Sequence, residues 1–412
     1  MAFETGTGPQ QFSGTWEMNM SFRTGLNWID RLPPWIAILL TAILAGRTVA
    51  QTVVMDLTGR EVIVISDSAE VRVQGKVRER LERGAIVRVG VVRDNWLWIA
   101  DSQGYLQSKF VIPVEEGLAH FDKIIATNPT PKAYLHRGGL HKHLGHHDDA
   151  IADYTEALRL KPDFGRALLS RALVHEYNND LVAALNDFDA AEKIVLDRTF
   201  VQSARGDFFM RTLQFELADK EFSLVLEGLE KRLAEPGVSV EVGTGLTGRK
   251  ATALSDRGWC RFMQEQLPQA LADLDSAVEL KPDYWFYRGR RRAVWRKLEK
   301  YDLLVAELDE VVSQPGVHPA ILNEYAHFLG SCPADDRRDG KRAVELATKA
   351  CEKTGNTNPQ YLDTLAVALA EVGDFPQAME TQQRAISLAD PSDQADFQSR
   401  LDLFRQSKPW RE

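Results

Sequence analysis

Five histidines stand close together, His136, His141, His143, His146 and His147, and Asp148 and Asp149 follow at once. Imidazole nitrogens and carboxylate oxygens are ligands for first-row divalent ions, so this is the stretch where metal chemistry would be sought. His143 and His147 have the four-residue spacing of a helical ligand pair, but Gly145 falls between them and breaks the shared face. A structural zinc also needs four converging ligands. The expectation is therefore surface histidines titrating near their ordinary value of about 6.5, with no metal held. A second pattern is Gly243-x-Gly245-x-x-Gly248, the glycine spacing of a dinucleotide loop. That chemistry needs a βαβ unit around it, whereas the flanks read as helices, and Arg249 stands where a phosphate loop would carry lysine. A flexible loop over 235–250 and no nucleotide are expected. The chain carries no nucleophile elbow and no zinc-protease helix. No catalytic residue, cofactor or enzymatic activity is expected.

Two further groups bear on binding. Arg288, Arg290, Arg291, Arg292, Arg296 and Lys297 crowd one stretch of a chain whose formal charge is −9 and whose pI is about 5.6. A solvated face is the plain expectation, and a docking point for an acidic peptide is the sharper one, since guanidinium forks hold carboxylates well. Nucleic acid is not expected as a partner, because phosphate contact needs concentrated basic surface on the whole domain. The three cysteines, Cys260, Cys332 and Cys351, are too few for a disulfide scaffold. A bridge between Cys332 and Cys351 would require the turn between them to fold back.

The elements that must position these groups fall into four stretches. Residues 1–50 form a leader in which Trp35 to Ala45, WIAILLTAILA, is preceded by Arg31 and followed by Thr48-Val49-Ala50, with small residues at the two positions a signal peptidase reads. The pattern is that of a secretory signal cleaved after Ala50, too short for a comfortable membrane span of about 20 residues. Export to a periplasmic or extracellular location is expected, with a membrane anchor as the alternative if cleavage fails. Over 51–113 the apolar period is two, in Val62 to Ile65, Val71 to Val73, Ile86 to Val89, Trp96 to Ile99 and Tyr105-Leu106, with turn residues between the runs. Several short strands in so few residues imply a small β barrel. Trp96 and Trp98 lie on one strand face, so at least one is expected in its core, leaving Trp98 or its partner with Tyr105 as a binding surface.

From 114 to 391 the period becomes helical and a unit of about 34 residues recurs. Val114 to Thr127 reads as a half unit expected to join the barrel to the array. Pro131 to Phe164 is the clearest full copy, followed in frame by units starting at Gly165, Thr199, Ala251, Trp285, Pro319 and Pro359. The eighth position is small in Gly138, Ala172, Gly206 and Gly258, and the twentieth is Ala150, Ala184, Ala218 and Ala270. Tyr154, Phe188, Phe222 and Leu274 occupy the twenty-fourth, expected to fill the gap to the next unit. In the unit from Trp285 either Arg292 or Gly289 stands at the eighth position, depending on the frame. Residues 392–412 read as a polar capping helix and tail.

Small residues at eight and twenty, an aromatic at twenty-four and proline near thirty-two resemble the tetratricopeptide repeat family. The stretch from Ala69 to Val111, with a tryptophan strand before Gly104-Tyr105, resembles the bacterial Src-homology-3-like domain. Together the resemblances imply a small all-β barrel followed by an all-α helix-pair solenoid. They imply that first-helix positions two, five, nine, twelve and thirteen line a groove. Here these are Lys132, Lys142, Arg166, Glu176, Tyr177, Asp207, Arg211, Trp259 and Phe262, with Arg290 and Arg296 from the basic cluster. The function implied is a non-enzymatic scaffold for protein or peptide partners. The alternative is a cell-wall targeting protein whose barrel reads peptidoglycan or its peptides.

Overall fold

The computed structural model describes residues 57–412, so the leader and its apolar segment lie outside the described residues. The chain divides into two compact units between His120 and Phe121.

The first unit is antiparallel. Its strands are β1 Glu61–Val64, β2 Ala69–Val73, β3 Lys76–Leu81, β4 Ile86–Arg93, β5 Trp96–Ile99, β6 Gly104–Gln107 and β7 Val111–Pro113. The spatial order is β3-β2-β6-β5-β4-β1-β7, with β3 and β7 as its two ends, so the expected barrel is an open sheet. The composition of β3, KVRERL, gives the reason. Nearly all of it is exposed, and charged side chains on a sheet edge discourage further pairing. Alternation decides which residues enter the core. Leu97 and Ile99 are fully buried with Val62, Val64, Val71, Val89 and Leu106. Trp96 and Trp98 therefore point to the opposite face and are only half-buried, which corrects the expectation that one of them fills the core.

The second unit is helical. After α1 Val114–Thr127, which spans the division, come seven helix pairs: α2 Pro131–His143 with α3 His147–Leu160, α4 Gly165–Tyr177 with α5 Leu181–Ile194, α6 Arg198–Arg211 with α7 Phe215–Leu233, α8 Val240–Met263 with α9 Leu267–Leu280, α10 Trp285–Lys297 with α11 Tyr301–Val312, α12 Pro319–Ser331 with α13 Gly340–Lys353, and α14 Pro359–Glu371 with α15 Phe375–Leu388. A last helix, α16 Pro391–Arg405, closes the order. No described helix is long and apolar enough to cross a membrane.

The recurring small residues act as expected. A Cβ on Gly138 would meet the Tyr154 ring at 2.7 Å, and one on Gly206 the Phe222 ring at 2.9 Å. The twenty-fourth residue thus first covers the small residue of its own pair. It reaches the next unit as well, since Tyr154 shares a buried cluster with Ala167 and Val174. In the fifth pair the frame resolves on Arg292, which is 1% exposed. A guanidinium replaces glycine or alanine at the crossing, and α10 and α11 stand further apart than the helices of the other pairs.

The expected loop over 235–250 is instead mostly helix. Ser239 caps α8 by accepting a hydrogen bond from the Val242 amide, and Gly243, Gly245 and Gly248 all lie within the helix. Each glycine costs about 1 kcal/mol of helix propensity. Burial of Leu246, Ala251 and Leu254 against Val225, Leu226 and Leu229 of the lengthened α7 offsets that cost.

Charge also ties the stack together. Arg137, Arg171, Arg205, Arg257 and Arg291, each at the seventh position, bind Asp153, Asp187, Glu221, Asp273 and Glu307, sixteen residues on. The same arginines reach back to Asp122, Thr155, Asp189, Ser223 and Asp275 of the preceding unit. Each guanidinium fork therefore joins two units.

Candidate binding groove

Successive first helices place their ninth, twelfth and thirteenth residues side by side, because these positions share one helical face. At the amino-terminal end Lys142, Tyr177 and Arg211 line a cavity of about 690 Å³ with Glu176, His147 and Leu173. Arg211 holds Glu176 through two hydrogen bonds, of 2.5 and 2.8 Å, and Tyr177 is 75% exposed. The carboxyl of Asp207 is pushed up to about 6 by burial and then by the neighbouring Asp256, while Arg211 opposes the rise. Arg290 pairs with Asp256 at 2.6 Å and with the Ser255 hydroxyl at 2.9 Å. Its guanidinium lies 4.4 Å from the Phe286 ring centre and 5.5 Å from that of Trp259, which stacks on Phe262 at 4.9 Å. Lys132 and Arg166, at second positions, are exposed and line neither this cavity nor the next.

The second cavity, also about 690 Å³, is lined by Phe262, Ala293, Arg296, Tyr301, Glu324 and Glu412. Glu412 belongs to the segment after α16, and it is not alone there. Its amide donates to the Ser331 carbonyl at 3.1 Å and its carboxylate meets Arg296 at 3.2 Å. Arg411 binds Glu371 at 2.6 Å. The Trp410 ring lies 5.5 Å from His327 and 4.7 Å from the Arg400 guanidinium. His327, Ser331 and Glu371 stand at ninth and thirteenth positions of their units. Residues 410–412 thus follow the face that the earlier units leave open. Burial, and then Arg296, push the His327 imidazole down to about 4, with Glu412 opposing.

The basic cluster is neither a solvated face nor a free docking point. Arg292 binds Glu307 at 2.6 Å and Glu324 at 2.7 Å, and Arg288 and Arg291 also turn to Glu307. Of the cluster, Arg290 and Arg296 meet the groove, and both are paired, with Asp256 and Glu412. On the β unit, Tyr105 shares a cavity of about 500 Å³ with Trp96, Arg72, Arg93 and Asp94. Trp98 packs edge-on against Tyr105 at 5.0 Å.

Among the histidines, His143 ends α2 and His147 opens α3, so they share no helical face, though both line the first cavity, where the His147 and Tyr177 ring centres are 4.1 Å apart. His141 and His146 bring ligand atoms together, with Asp149 beside them. All three cysteines are free and buried, and burial pushes the Cys351 thiol up to about 11. Two features escaped sequence reading. The seventh and twenty-third positions carry an Arg and acid pair sixteen apart in five units, a periodic signal as regular as the small residues. Trp410 in a polar tail is the signal for the docked segment.

Residues 131–164 match the tetratricopeptide repeat family. Among solved structures, one described as the functional characterization of Pseudomonas aeruginosa pilF is similar at 15% identity, covering 56% of this chain and 94% of that one, with a TM-score of 0.42. A tetratricopeptide repeat protein from Parabacteroides merdae is similar at 14% identity, covering 71% of this chain and 92% of that one, also with a TM-score of 0.42. No curated protein matches the sequence.

Proposed function

We propose that the chain is a non-enzymatic scaffold whose helical unit holds extended peptide segments along the first-helix face. The observation that carries this reading is the seat of Trp410 to Glu412. An aromatic ring lies between His327 and Arg400, a cation on Glu371, and an acid on Arg296, while a backbone amide bonds to Ser331. This combination of one apolar anchor, charge pairing and a main-chain hydrogen bond is how a groove recognises an extended chain. Lys142, Tyr177, Arg211, Trp259 and Phe262 offer the same mixture of cations and aromatic surface in the units before it. An array of immobilised hexapeptides tests this. Retained sequences should be enriched in an aromatic residue flanked by both charge signs, and Arg211→Glu with Arg296→Glu should abolish retention. Uniform retention that ignores both substitutions would contradict the reading.

A second reading is supported by the cavity over Trp96 and Tyr105, which suits a short peptide such as those of the cell wall. Purified murein would then retain the chain, and Tyr105→Ala would release it. Export belongs to both readings and rests on the apolar stretch before Ala50. Mass measurement of the mature amino terminus tests it, with a start at Gln51 expected.

A further inference from the structure

We propose that the turn inside the first helix pair is a binding site for one divalent first-row transition ion, with His141 Nδ1, His146 Nδ1 and a carboxylate oxygen of Asp149 as its protein ligands. The backbone brings the two imidazoles together. In this turn the His146 amide donates to the His141 carbonyl at 2.9 Å, around Gly145 at φ +77°. The same turn recurs down the stack. Asp180 bonds back to His175, Gln214 to Phe209, Gln266 to Arg261 and Lys300 to Trp295, each at 2.8 Å. Every one of these turns therefore sets an eleventh residue against a sixteenth. Asp149 is the nineteenth residue, three after His146 and so on the same face. In the later units that position is Ala183, Leu217, Gln269 and Leu303. Among these five turns only the first supplies three ligand-bearing side chains.

The distances fit an ion. The two Nδ1 atoms are 3.4 Å apart, and two nitrogens on a tetrahedral zinc at about 2.0–2.1 Å stand about 3.3–3.4 Å apart. Asp149 Oδ2 is 3.9 Å from His141 Nδ1, and all three ligand atoms lie within 4.8 Å of one another. Behind the site, Asp153 Oδ2 lies 3.9 Å from His141 Nε2, held in place by Arg137. At that distance the carboxylate is too far for a direct hydrogen bond to the ring, and it contributes negative charge behind the site. His146 and Asp149 are exposed, so an ion enters from solvent and water completes its coordination. Two imidazoles and one carboxylate suit Zn²⁺ or Co²⁺ and discriminate against Mg²⁺ and Ca²⁺.

The test is titration of the full chain, stripped with chelator, with Co²⁺ followed by absorbance and with Zn²⁺ followed by calorimetry. One equivalent should saturate the site, Zn²⁺ should displace Co²⁺, and Mg²⁺ should not compete. His146→Ala and Asp149→Asn should each weaken binding by more than about tenfold, a loss as large as that for an outer partner of a bound metal. His143→Ala with His147→Ala should leave it unchanged, and far-ultraviolet circular dichroism confirms that each variant is folded. Absence of saturable binding, or binding that survives His146→Ala and falls with the His143 and His147 substitutions, would overturn the proposal.

Discussion

At the scale of single residues the stack depends on what is missing and on what is paired. Gly138→Val should destabilise by about 1–3 kcal/mol, because the new side chain enters the Tyr154 ring; chemical denaturation reads the loss. The Arg171 and Asp187 pair behaves differently. Asp187→Ala strands a largely buried guanidinium and should cost about 3 kcal/mol, whereas Arg171→Met combined with Asp187→Leu should recover most of that. The small positions were legible in the sequence because size at a crossing recurs without reference to any partner. The paired arginines were harder to see, since a charge at the seventh position reads as surface until its acid sixteen residues on is counted with it. Trp96 and Trp98 were misread for a related reason. Alternation gives two faces, but the residue types alone favoured tryptophan for the interior over Leu97 and Ile99.

At the scale of elements, α8 shows burial overriding propensity. Three glycines argued for a loop, yet Leu246 and its neighbours carry the helix onto α7. Leu246→Ala should therefore cost about 2–5 kcal/mol and reduce helical circular dichroism. A loop in this stretch would show neither effect. The fifth pair is the opposite case, in which a buried ionic group replaces close packing. Arg292→Ala leaves a void at the crossing and removes the cation from Glu324, while Glu307 keeps Arg288 and Arg291, and should destabilise more than Arg292→Lys. The open sheet also belongs here. Its strands were readable from their period of two, but closure depends on whether the edges pair, and that is set by the charged β3.

At the scale of the whole molecule, the fold class could be read from the sequence while the occupied part of the groove could not. Repeat spacing fixes how helices stack, and it contains no information about where a short segment after the last helix will settle. Two groups of the groove have titrations displaced far enough to set the pH dependence of stability. The Asp207 carboxyl rises from an ordinary 3.8 to about 6, so the folded chain binds the extra proton and stability falls as pH rises through that window. Asp207→Asn should remove this slope and raise the melting temperature at pH 7. His327 is displaced the other way, from 6.5 to about 4, so stability falls as pH drops through that range, beneath the ring of Trp410.

The most direct measurement is fluorescence polarisation of a labelled, amidated peptide of residues 407–412, SKPWRE, with the full chain carrying Trp410→Ala. That chain should bind the peptide saturably and more tightly than the unaltered chain, and adding Arg296→Glu with Glu371→Lys should abolish binding. A folded Trp410→Ala chain that takes up no peptide, or that binds it equally with the groove charges reversed, would contradict the account.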